Sequence, residues 1–258
     1  MIEIYKKLPK TNCGKCGSAT CIAFAMAVKK GEADLSACPF VKCLPSPGLQ
    51  TGSQAASPSG YEHVAEEIEK EAVCLNFRQT AEAVGGTYIA FDGKEAIRLN
   101  MINKQYELNK EGLFENNVYS RDTWARIIIC DYMRRHTSRA HTGELIGLGH
   151  FPHTASHVKA FQSNAEKKIA DIFKDNADRL RQRCTELGGI EAPNNLKADY
   201  SFRFALLPNV PLFLSFWSAD EEFGADCKIL FDRSAEDHID IEYLANLLER
   251  FTLELTGE

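Results

Sequence analysis

Apolar and polar residues alternate with two different periods along this chain, and the change of period marks its elements. From Glu62 the stretch "EHVAEEIEKEAVCLNFRQTAEAVG" places Val64, Ile68, Val73 and Leu75 at helical intervals and ends at Gly85-Gly86, which predicts one or two helices with a glycine stop. The next segment, "GTYIAFDGKEAIRLNMINKQYELN", alternates with period two around Asp92-Gly93, a strong short-range signal for a hairpin. "YSRDTWARIIICDYMRRHTSR" returns to a helical period, with Ser120 as the expected N-cap and Trp124, Ile127, Ile128 and Met133 as its apolar face. "SHVKAFQSNAEKKIADIFKDNADRLRQRCTELGG" predicts a long helix or a helix pair closed by two glycines. "ADYSFRFALLPNVPLFLSFW" predicts two strands about a "PNVP" turn, "CKILFD" a short strand, and "DIEYLANLLERFTLEL" a closing helix capped near Asp240. Strands and helices do not alternate regularly, so the expected fold class is α+β.

Before Tyr61 the pattern is different. Residues 1–44 carry a compact group of cysteines. "LPSPGLQTGSQAASPSG" follows, uncharged and rich in proline, glycine and serine, which is linker chemistry. The expected organisation is a cysteine module at 1–44, a linker at 45–60 and a larger α+β domain at 61–258. Within the module, "SATCIAFAMAVKKG" predicts an alanine-rich helix that begins beside a cysteine and stops at Gly31.

Composition narrows the function classes. The chain has 258 residues, 44% of them hydrophobic, and a net charge of −6, with no basic run to neutralise phosphates, so nucleic acid is not an expected partner. The apolar run "NVPLFLSFW" falls short of the roughly 20 residues a membrane-spanning helix needs, and the N-terminus has no apolar signal core. The expected location is therefore the cytoplasm, where nine cysteines suggest metal ligands or free thiols in preference to a disulfide framework. No phosphate-cradling or dinucleotide fingerprint is present, and no nucleophile–base constellation nominates an enzyme.

Cys13, Cys16, Cys21 and Cys38 are spaced C-x2-C-x4-C-x16-C. A cubane iron–sulfur cluster needs four converging thiolates, and closely spaced ligands on a glycine-containing loop bring them together with little chain to order. Gly14 and Gly17 permit the turns, a helix N-terminus beside Cys21 favours an anionic group, and Cys38 is followed by Pro39. Zinc remains an alternative, although its structural sites usually show two short C-x2-C pairs. A redox dithiol of Cys13 and Cys16 is a second alternative that leaves the other two cysteines unused. Cys43 stands near enough to substitute as a ligand.

The stretch "TNCGKCGSATCIAFAMAVKKGEADLSACP" resembles the small four-iron four-sulfur domain found in the corrinoid iron–sulfur protein large subunit and in the Rnf electron-transport complex. The resemblance implies that Cys13, Cys16, Cys21 and Cys38 ligate one [4Fe-4S] cluster carrying a single low-potential electron. In the corrinoid protein such a module serves reductive reactivation of cobalt. The resemblance thus implies a redox partner protein, with a corrinoid protein as one candidate. Beyond the module, "LFENNVYSRDTWARIIICDYM" and "PLFLSFWSADEEFGADCKILFDRSAEDHIDIEYL" resemble an uncharacterised domain family of anaerobes that often follows it. That family supplies no activity.

The larger domain offers weaker signals. His136, His141, His150, His153 and His157 crowd one region, and His150, His153 and His157 in "HFPHTASH" are candidate axial ligands for a second cofactor, a corrinoid or a haem. A polar surface loop is the plainer reading of the same residues. Asp220, Glu221, Glu222 and Asp226 lack the spacing of a calcium loop and are expected to form a solvated turn. Cys74, Cys130, Cys184 and Cys227 are expected as small buried side chains, and Trp124 and Trp217 as core residues.

Overall fold

In the computed structural model the described residues are 16, 18, 21–30, 33, 37, 60–152, 156–193 and 196–257, with residues 21, 22, 30, 156 and 157 described by backbone alone. The chain divides into two compact units, Met1–Ala56 and Ser57–Glu258. Most of the expected linker, residues 45–59, lies outside the described residues.

The first unit contains helix α1, Cys21–Lys30. Its alanine-rich sequence has high helix propensity, and Phe24 and Ala25 are buried while Met26 and Lys29 are exposed.

The second unit opens with α2 (Gly60–Ala72) and α3 (Phe77–Val84). The expected helical stretch is thus a pair. It breaks before Asn76, whose side chain accepts a hydrogen bond from the Gln79 amide at 3.1 Å and starts α3. Gly85 ends α3 in the left-handed conformation.

A five-stranded meander follows: β1 (Thr87–Phe91), β2 (Lys94–Met101), β3 (Lys104–Asn109), β4 (Gly112–Glu115) and β5 (Val118–Tyr119). All its pairings are antiparallel. Asp92 and Gly93 both have positive φ, 49° and 73°, as the tight turn that joins twisted strands requires. Asn116 and Asn117 do the same between β4 and β5. Alternation sends Ile97, Leu99, Met101, Tyr106, Leu108 and Leu113 into the core.

Helix α4 (Thr123–Arg135) is buried at every position from Ala125 to Met133, so it is packed on all sides and shows no polar face over that span. Its N-cap is Asp122, which accepts from the Ala125 amide at 3.0 Å. Ser120 was the expected cap. It lies too far upstream, is buried, and its amide instead extends the sheet by donating to the Leu113 carbonyl at 2.8 Å.

The second sheet has the order β6-β10-β9-β8-β7, with β6 (Leu145–Ile146), β7 (Ile190–Glu191), β8 (Tyr200–Leu207), β9 (Val210–Trp217) and β10 (Asp226–Asp232). A 3-10 turn, Leu148–His150, follows β6. Helices α5 (Ser156–Phe173) and α6 (Ala177–Glu186) form the expected pair, separated where Asn176 caps α6 by accepting from Arg179 N at 2.9 Å. The short α7 (Ala235–His238) leads to α8 (Ile241–Thr256), capped by Asp240. Leu244, Leu247, Leu248, Phe251 and Leu255 of α8 join one continuous core with Phe204, Leu212, Leu214 and Phe231 of the sheet. The two sheets are linked directly by the Ile102 amide, which donates to the Leu206 carbonyl at 2.8 Å. The architecture is α+β, as the mixed pattern of the sequence implies.

Candidate metal centre

Helix α1 begins at Cys21, and no acidic residue occupies its first turn. The first-turn amides of that helix have no intrahelical partners, and no acidic residue in that turn opposes negative charge. Cys16 lies in a turn one segment earlier, half-buried and outside any disulfide. A thiol and a helix N-terminus of this kind suit an anionic thiolate-ligated group. Cys13, Cys38 and Cys43 lie outside the described residues.

The remaining cysteines are chemically different. Burial pushes the Cys184 thiol up to about 12, and raises Cys130 and Cys227 well above the ordinary thiol range. These three stay protonated and pack as small apolar side chains. Cys74 departs from the expectation of burial: it is exposed just beyond α2, where its Sγ donates to the Lys70 carbonyl at 3.3 Å.

The histidines are dispersed among several partners. His136 Nδ1 lies 2.7 Å from the Arg134 carbonyl, and His141 Nε2 lies 3.3 Å from the Asn209 carbonyl. His150 is exposed at the end of the 3-10 turn. That turn is held from below, because the Gly149 amide donates to Gln162 Oε1 at 3.1 Å and buried Gln162 also donates to the Ile229 carbonyl at 3.1 Å. His153 lies outside the described residues. His157 is in the first turn of α5, with only its backbone described. Among the described residues no group of three histidine, cysteine or carboxylate side chains could hold a metal ion.

Asp220 forms a solvated turn, its carboxylate accepting from the Glu222 and Phe223 amides at 2.8 and 2.7 Å. Trp124 is half-buried and packs against the core, as expected, whereas Trp217 is half-buried outside that core cluster. Trp124 stacks on Tyr61 with ring centroids 4.8 Å apart, and the Trp217 indole N–H donates to the Lys197 carbonyl at 3.2 Å.

Sequence reasoning missed the buried charges of the larger unit. Glu69 accepts from Arg126 Nη2 at 2.7 Å, Arg126 Nε at 3.1 Å, the Tyr119 hydroxyl at 2.8 Å and the Leu113 amide at 2.8 Å. Arg126 also pairs with Glu62, which accepts from Thr123 Oγ1 at 2.5 Å. Gly112 leaves room for this group, since a side chain there would meet the Tyr119 ring and the Glu69 carboxylate. Asp131, fully buried, accepts from Arg134 at 2.8 Å, from Arg135 at 2.9 Å and from the Asp240 amide at 3.1 Å. Asp232 accepts from the Thr142, Gly143 and Ser234 amides and from the Thr142 and Ser234 hydroxyls. Burial alone would raise its pKa, but these hydrogen bonds outweigh burial and hold it well below the usual carboxylate range. One signal was available: Glu69, Arg126 and Asp131 stand on the apolar stripes of their helices, where an unpaired charge is not tolerated.

Comparison with known proteins finds two separate matching segments. Residues 76–253 match the family described as "Domain of unknown function (DUF3786)", and residues 8–40 match the family described as "Putative Fe-S cluster". Over 40 residues the chain is 60% identical to the corrinoid/iron-sulfur protein large subunit of Moorella thermoacetica, covering 16% of this chain and 9% of that protein. Over 40 residues it is 50% identical to the acetyl-CoA decarbonylase/synthase complex subunit gamma of Methanocaldococcus jannaschii, covering 16% and 8%. The corresponding subunit of Methanothermobacter thermautotrophicus is 50% identical over 38 residues, 15% of this chain and 8% of that subunit. The chain thus spans less than a tenth of the length of these relatives. No solved structure matches it. The N-terminal segment is an iron–sulfur domain by these matches. Among the described residues no helix is long and apolar enough to cross a membrane.

Proposed function

From the premise that this chain belongs to the DUF3786 family through residues 76–253 and carries an iron–sulfur domain ahead of it, we propose that it is a one-electron protein of anaerobic metabolism, located in the cytoplasm, that reduces a metal cofactor, a corrinoid or a haem, carried by a partner protein. Cys13, Cys16, Cys21 and Cys38 hold a [4Fe-4S] cluster, which supplies one low-potential electron at a time. The observation that carries the reading is the 60% identity of this segment to a corrinoid/iron–sulfur subunit. The chain's own contribution is four thiols spaced closely in sequence, with Cys21 at the start of a helix whose first turn carries no acidic residue.

A second reading places the acceptor on the larger unit, with His150, His153 or His157 as axial ligand. It is favoured by the exposure of His150 on a turn pinned by Gln162.

Anaerobically purified protein should be brown, with a broad absorbance near ~400 nm that bleaches on dithionite. Colourless, zinc-loaded protein would overturn the redox reading in favour of a metal that merely staples a small module to a ligand-binding or interaction domain. Reduced, desalted protein mixed with a cobalt(II) corrinoid protein should recover that absorbance as cobalt is reduced. Free cobalamin or haemin titrated into the full chain separates the two readings. A spectral change lost in His150→Ala supports a bound acceptor, and no change leaves the partner-borne one.

A further inference from the structure

Open sheet edges carry unpaired N–H and C=O groups, and folded proteins blunt them by shortness, charge, proline or a covering group. Three edges of this molecule are blunted in that way. The edge strands β5, β6 and β7 have two residues each. Where those short strands stop, side chains and backbone take over. Glu69 accepts the Leu113 amide on β4. Glu166 accepts the Ile229 amide on β10 at 3.0 Å, while Gln162 donates to the Ile229 carbonyl. The Ile102 amide occupies the Leu206 carbonyl on β8.

The fourth edge is β1, and it is built differently. It has five residues, Thr-Tyr-Ile-Ala-Phe, with no charge, no proline and no bulge in its pairing with β2. The two-residue turn at Asp92-Gly93 makes Phe91↔Lys94 the closing hydrogen-bonded pair. Pairs alternate from there, so Thr87, Ile89 and Phe91 bond to β2, while Tyr88 and Ala90 direct their N–H and C=O groups to the open side. Among the described residues no group is seen on those backbone atoms. Phe91 is 81% exposed on the same face as Ile89.

We infer that β1 is a self-association edge: two copies of this chain pair β1 against β1, antiparallel about a two-fold axis at Ile89, and fuse their five-stranded sheets into one of ten. The occupant is a second copy because the seam is self-complementary. Tyr88 and Ala90 of one copy exchange hydrogen bonds with Ala90 and Tyr88 of the other. Ile89 meets Ile89, and Phe91 lies across Thr87. The register of β2 then lines the central row on the Phe91 face with Ala96, Ile89, Ile89 and Ala96, and no like charges stand directly opposite across the seam. The inference is independent of the redox reading.

Sedimentation velocity of the full chain under reductant, from about 1 to about 200 μM, tests it over the range where a small interface associates. The wild type should shift from monomer to dimer. Ala90→Pro removes an outward N–H without touching the β1–β2 ladder, and Thr87→Lys sets a charge beside the partner's Phe91. Both variants should remain monomeric across the range, with unchanged far-ultraviolet circular dichroism. If Ala90→Pro unfolds, Thr87→Lys alone decides. A wild type that stays monomeric throughout overturns the proposal and leaves the edge open only to an extended segment of another protein. A dimer unaffected by Thr87→Lys overturns it as well.

Discussion

At the scale of single residues, the larger unit depends on charges it has taken out of water. Arg126 has its Nε and both terminal nitrogens bound by Glu69 and Glu62. Removing one partner leaves the other buried and uncompensated. Arg126→Ala should therefore cost about 3–5 kcal/mol in chemical denaturation, while the paired change Arg126→Met with Glu69→Leu should recover only part of that loss, because the Leu113 amide and the Tyr119 hydroxyl then lose their acceptor. Equal losses in the single and double variants would show that packing, and not the unpaired carboxylate, sets the cost. Buried titratable groups also set the response to acid. Hydrogen bonds hold the Asp232 pKa below its ordinary value, and burial lowers that of His238 in spite of its interaction with the Arg139 backbone. In both cases the unfolded chain binds more protons than the folded one as pH falls. The His238 contribution is complete above its unfolded pKa and declines as pH drops through the lower folded value. The Asp232 contribution follows at more acid pH. Thermal melts should move steadily lower from neutral pH downward, and His238→Gln should flatten the upper part of that slope. A melting temperature that rises on acidification would contradict this account.

Elements are delimited here by short polar side chains that outcompete helix propensity locally. Asn76, Asp122, Asn176 and Asp240 each accept an amide from the first turn of the helix they start. This is why two long helical patterns became pairs. The hairpins depend in the same way on positive φ. Gly93, at 73°, has open space where a Cβ would stand, so Gly93→Ala should cost only the backbone strain of a left-handed residue, about 1–2 kcal/mol. Urea denaturation with an unchanged slope would report that loss. No change in midpoint would mean that the turn relaxes to another form.

The whole molecule combines a metal module with a domain that has its own core. The larger unit buries one continuous cluster from Ala65 to Leu255. Removing the metal with a chelator after air oxidation should abolish the visible absorbance, yet leave the main thermal unfolding transition of residues 57–258 within a few degrees. Loss of that transition together with the iron would show that the larger unit depends on the cluster. Single replacement of Cys13, Cys16, Cys21 or Cys38 by Ala should lose most of the iron, whereas Cys74→Ala and Cys184→Ala should retain it. Full iron content in Cys38→Ala would transfer the fourth position to another ligand, with Cys43 the nearest.

Local chemistry alone settled a good part of this protein. The cysteine spacing, the Asp92-Gly93 turn, the helix after Cys21 and the cap at Asp240 all follow from residues within a few positions of one another, so the sequence displays them directly. The mixed helix and strand pattern likewise sufficed for an α+β fold. What needed the tertiary structure was every feature whose partners are far apart in the chain. Glu69 reaches Arg126 57 residues away, and Asp232 binds Thr142 90 residues away. The pairing of β10 with β6 on one side and β9 on the other is equally invisible to periodicity. Burial is the other quantity that a local pattern does not contain. Cys74 and Cys184 have the same side chain, and one is exposed while the other is enclosed by the core. The histidines illustrate the same limit, because nearness along the chain fixes neither direction nor distance, and His136 and His141 each turned to a separate backbone carbonyl.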